Sequence, residues 1–64
     1  MPLEKVVNQK KEAITKASHD IGFLLDDLQE AMSYANQIES IIILQLIEEA
    51  ASLSFKINQF KSVI

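Results

Sequence analysis

Few groups in this 64-residue chain could do chemistry. His19, in the stretch KASHDIG, is the one histidine and the only side chain that titrates near neutrality by default. Ser18 and Asp20 flank it, so a hydroxyl, an imidazole and a carboxylate stand in a row. Neighbouring residues on a helix point in different directions, however, and a nucleophile and its base must reach one another. The trio reads as a surface or turn cluster, and no catalytic residue is assigned.

The carboxylates fare no better as ligands. Asp26 with Glu30, and Glu48 or Glu49 with Ser52, lie at helical spacing, but a di-metal bundle site needs Glu-x-x-His pairs and the chain has none. Asp20, Asp26 and Asp27 lack the spacing and glycine of a calcium loop. There is no cysteine, which excludes disulfides and thiolate sites. No metal and no cofactor is expected. Lys5, Lys10, Lys11 and Lys16 form a modest basic patch with no aromatic residue between the charges on which a base could stack. With a net charge of −3 and no arginine, no nucleic-acid partner is expected.

What remains is apolar. The run IESIIILQLI, residues 38–47, has a single charge, Glu39. As a helix it is apolar nearly all round, and such a helix expects to be surrounded. Its flanks extend the pattern: Leu53, Ile57 and Phe60 continue one row, and Ile41, Leu44, Ala51 and Phe55 form a second stripe. Exposed apolar patches of that size usually mark an interface. The candidate interface residues are therefore Ile38, Ile41, Ile42, Leu44, Leu46 and Ile47 in the run, and Leu53, Phe55, Ile57 and Phe60 beyond it. The run is too short to span a bilayer, and the polar face beside it is acidic where a membrane-surface helix needs Lys or Arg, so no membrane contact is expected. The first residues, MPLEKVVNQKK, lack the apolar core of a signal peptide. A cytoplasmic location is the expectation.

The elements that carry this surface follow from composition and period. One Gly and one Pro leave little turn chemistry for an all-β chain, and 48% hydrophobic residues favour order over disorder. Leu3, Lys10, Ala17, Leu24, Ala31 and Ile38 repeat at seven residues. Val7, Ile14, Ile21, Leu28, Ala35 and Ile42 repeat beside them, which predicts a coiled-coil seam. Beyond Ile42 the expected seam runs Leu46, Ala50, Leu53, Ile57, Phe60, Ile64, with four-residue steps that resemble a stutter.

The turn is expected at 34–37, where Asn36 and Glu39 have the spacing of a capping box. That gives helices of about 3–33 and 37–63 in a single domain, 1–64. A break at 17–22, near Gly22, and one unbroken helix are the alternatives, and SIIIL alone also suits a buried strand. The fold class is thus all-α: a two-helix antiparallel hairpin, coiled-coil-like, completed as a bundle by oligomerisation or by a partner, since a core this small needs outside support. In size and hairpin shape such a chain resembles the small helical co-chaperones of bacterial type III secretion needles. The likeness is one of architecture and carries over no functional residue.

Charge is segregated along the chain. Residues 1–19 hold Lys5, Lys10, Lys11 and Lys16 against Glu4 and Glu12; residues 20–49 hold seven carboxylates and no lysine; residues 50–64 hold Lys56 and Lys61. A hairpin folded near 35 becomes a rod with opposite poles. The expected function is that of a non-enzymatic helical interaction module, with itself or another helical protein as partner. The alternative is a small regulator whose acidic middle occupies a basic site.

Overall fold

The computed structural model describes the backbone from Pro2 to Ile64 and side chains from Lys5 onward. Two helices, α1 (Pro2–Tyr34) and α2 (Gln37–Val63), pack antiparallel as a hairpin, with no strand among the described residues. Pro2 begins α1, where its missing N–H is no loss. The helix passes through Gly22 without a break or a positive φ, so the alternative turn at 17–22 is not made.

The turn is Ala35–Asn36. The Ala35 amide donates to the Met32 carbonyl at 3.3 Å, closing α1. Asn36 has extended backbone and caps α2. The Glu39 amide donates to Asn36 Oδ1 at 2.8 Å, and the Asn36 amide donates to Glu39 Oε1 at 3.0 Å. Both halves of the expected capping box are therefore present, and two amides that the helix itself cannot satisfy find partners. Glu39 also sets a negative charge at the positive end of the helix dipole. Ser40 adds a hydroxyl bond to the Asn36 carbonyl at 2.8 Å.

Burial traces the seam between the helices. On α1 it runs Ile14, Ser18, Ile21, Leu25, Leu28, Met32, Ala35; on α2 it runs Ser40, Ile43, Ile47, Ala50, Ser54, Ile57. Both rows alternate steps of three and four, the period of left-handed helix pairs. Two expectations change here. The row Ile14, Ile21, Leu28, Ala35 lies in the seam, but its companion is Ser18, Leu25, Met32 and not the expected Lys10, Ala17, Leu24, Ala31, of which Ala17 is half-buried and the others lie exposed beside the seam. And α2 has no stutter: of the expected row Ala50, Ile57 and Ile64 are covered, but Leu46, Leu53 and Phe60 stay exposed, and Ser40, Ile43 and Ser54 take the covered positions between. Of the outer seam positions expected, Val7 and Ile42 are exposed, and Leu3 lies outside the described side chains.

Only Ile21, at 5% exposure, and Ala50, at 7%, are buried among the described residues. Ser18, Ala35, Ser40, Ala50 and Ser54 stand among the larger Ile, Leu and Met side chains of the seam. Ser18 donates a hydrogen bond across it to Asn58 Oδ1 at 3.3 Å. The product is a rod whose Cα atoms extend over 54 × 15 × 11 Å, with a radius of gyration of 15.5 Å. A compact domain of this length would have about 11 Å.

Candidate functional site

The surface is best described by the rows that flank the seam. One residue before each of Lys11, Ser18, Leu25 and Met32 comes the α1 row Lys10, Ala17, Leu24, Ala31. One residue before each of Ser40, Ile47, Ser54 and Lys61 comes the α2 row Glu39, Leu46, Leu53, Phe60. These two rows lie on the same side of the hairpin, because a shallow groove at the turn end is lined by Ala31, Tyr34 and Ala35 from α1 together with Glu39, Ile42 and Ile43 from α2. Seven-residue periodicity carries that adjacency down the rod. Counting back along both helices from the turn, and holding to the Ser18–Asn58 bond, Ala31 comes level with Leu46, Leu24 with Leu53, and Ala17 with Phe60. The result is a front face of three apolar rungs. Lys10 stands at its open end and Glu39 at its turn end.

Leu24, Leu46, Leu53, Phe60 and, at the edge, Ile42 are all exposed here, Leu53 by 51%. This face is the feature missed by reading each helix singly. Leu24 and Ala31 were assigned to the interior, and their juxtaposition with Leu46, Leu53 and Phe60 depends on how the helices are rotated against each other.

The opposite side is mixed. On α2 it carries Ile41, Leu44, Ala51 and Phe55, the second stripe, all exposed, Phe55 by 64%. Ile38 precedes this stripe at the turn end and is 73% exposed. Beside the seam its α1 neighbours are Thr15, Gly22 and Gln29, and a shallow depression on α1 there is lined by polar residues together with Leu25 and the exposed Phe23.

Of the ten candidate interface residues, Ile47 and Ile57 are half-buried in the seam against α1 and hold the hairpin together. Ile42, Leu46, Leu53 and Phe60 lie on the front face or its edge. Ile41, Leu44 and Phe55 lie on the back stripe with Ile38 at its end. The single run 38–47 thus divides among three destinations, because an α-helix distributes consecutive residues around its axis every 3.6 residues.

The groups considered for chemistry are spread out. His19 is exposed on α1, and the Ser18 hydroxyl is turned to Asn58 across the seam, not to the imidazole. Among the described residues no three His, Cys, Asp or Glu side chains gather as a metal site would require. No described helix is long and apolar enough to cross a membrane. The carboxylates of residues 20–49 occupy the turn half of the rod and the lysines the open half, as the hairpin geometry dictates. No protein-family model matches this chain, and no curated protein or solved structure matches it either.

Proposed function

We propose that this chain is a non-enzymatic helical protein–protein interaction module, whose open apolar faces are completed by its own copies or by another helical protein, in the manner of a small adaptor or co-chaperone. The observation that carries the reading is the imbalance of burial among the described residues: two buried side chains, Ile21 and Ala50, against exposed Leu24, Ile38, Ile41, Leu53, Phe55 and Phe60. The hairpin exposes 5226 Å². A compact monomer of 7.2 kDa exposes about 4100 Å². The difference, roughly 1100 Å², is comparable to what one partner contributes to a standard interface, about 800 Å².

Thermal unfolding of the whole chain, followed by circular dichroism from about 5 µM to 500 µM, tests this. Mass action makes the midpoint of an associating fold rise with concentration. A cooperative midpoint that is high and the same at every concentration, with a monomer mass throughout, rejects the reading.

The acidic turn half supports a second reading, a regulator that occupies a basic site on its target. Salt separates the two. Apolar helix pairing survives 0.5 M salt with little loss, whereas an acidic decoy loses affinity steeply as the screening length shrinks.

A further inference from the structure

We propose that the front face is covered by a second copy of this chain laid across it antiparallel, so that two hairpins form a four-helix bundle with the Leu24–Leu53 rung at the twofold axis. The inference rests on the interaction-module reading and adds the partner, the face and the direction.

Two features of the face select this occupant. The first is the spacing of the rungs. The Ala17–Phe60 and Ala31–Leu46 rungs lie seven residues on either side of Leu24–Leu53. A twofold axis through the central rung therefore lays Ala17 and Phe60 of one copy on Ala31 and Leu46 of the other. Each end layer then holds two alanines and two large side chains, and the middle layer holds four leucines. The twofold sets each helix on its own copy, Ala17 on Ala31 along α1 and Phe60 on Leu46 along α2, so the equal spacing of the rungs brings the layers of an isologous contact into register.

The second is charge. Two copies can also meet face to face in parallel, but that lays the acidic turn half of one copy along the acidic turn half of the other. The antiparallel arrangement instead brings each acidic turn half to the other copy's lysines. At the ends of the face, Lys10 comes level with Glu39 of the second copy. At the α2 edge, Lys56 comes level with Glu49 of the second copy. Lys56 and Glu49 of the same chain are seven residues apart on one helix, about 10 Å, too far for a direct pair, so any coupling between them reports on the second copy.

The chain has no cysteine, so an introduced thiol reports geometry without competition. Sedimentation equilibrium of the wild type should give twice the chain mass. Under mild oxidation Leu24→Cys, at the axis, should form a disulfide with itself. Phe60→Cys should not, since its two copies lie about 21 Å apart along the bundle and a disulfide reaches only ~7 Å between Cα atoms. A mixture of Phe60→Cys and Leu46→Cys should form the mixed disulfide. Independently of cysteine, Lys56→Glu should weaken the dimer about tenfold through its two symmetric pairs, and Lys56→Glu with Glu49→Lys should restore it.

Three results overturn the proposal: a wild-type monomer at millimolar concentration, a trimer or larger closed species, or Phe60→Cys linking to itself as readily as Leu24→Cys. The last two leave an associating module with another geometry, so they strike the inference and spare the reading beneath it. A stable, concentration-independent monomer removes both.

Discussion

At the scale of single residues, stability is concentrated where the two helices touch. Ile21 is one of two buried side chains among the described residues, so Ile21→Ala leaves a gap in the middle of the seam. Such substitutions cost about 2–5 kcal/mol, enough to unfold a hairpin this small, and circular dichroism should show the helical signal collapse. Ile38→Ala is chemically the same change at a position 73% exposed, and it should alter the midpoint by less than about 0.5 kcal/mol. Asn36 is the other critical residue, through its reciprocal bonds with Glu39. Asn36→Ala should cost about 1 kcal/mol, read as a fall of roughly 4–8 °C in the thermal midpoint. Gly22 offers the reverse case. Its φ is not positive, and a Cβ there meets nothing within 4 Å. Gly22→Ala should therefore stabilise α1 by about 0.5–1 kcal/mol; a fall in the midpoint would mean that something else closes on that side of the helix.

At the scale of the helices, the turn was legible because its signals are local. Asn36 and Glu39 are three residues apart, and the capping box they form needs no distant partner. The helical state was legible for a similar reason, since heptad spacing runs through most of the chain and strong breakers are nearly absent. The seam was only half legible. On α1 three adjacent rows contain apolar residues, the rows of Ala17, of Ile21 and of Leu25, and a helix can press only two of them against its neighbour. Leu24 and Ala31 are as apolar as the side chains that won. On α2 apolar residues stand all round, so the seam could not be found by hydrophobicity. The positions that pack against α1 include Ser40 and Ser54, chosen by the close approach they permit, while Leu46, Leu53 and Phe60 are left outside. The expected stutter arose from following the largest side chains instead of the period that α1 imposes.

At the scale of the whole molecule, the two sides of the rod should respond differently to substitution. Leu53→Asp places two charges at the centre of the proposed bundle without compensation, and should weaken the dimer by roughly a hundredfold or more. Leu44→Asp lies on the back stripe and should leave the dimer mass and the helical content unchanged. Sedimentation of the two variants side by side checks this, and equal disruption by both would place the contact elsewhere. The poles of the rod add direction more than affinity. Raising salt from about 50 to 500 mM should weaken the dimer only a few-fold, because its ion pairs stand at the rim, where screening is strong.

The amino-acid sequence by itself determined that this chain is helical, how a turn at Asn36 would be capped and how charge is distributed along the chain, while the structure chose that turn over a break near Gly22. Each of these depends on residues within a turn or two of one another, or on their order alone. Only the tertiary structure decided which of several equally apolar rows became the interior. Rotation of one helix about its axis changes no local interaction. It is set by the fit between two surfaces, and here the fit favoured serine and alanine in α2 over leucine and phenylalanine. That choice turned the run at 38–47 from one interface into three surfaces, and it placed Leu24 and Leu53 side by side on an open face.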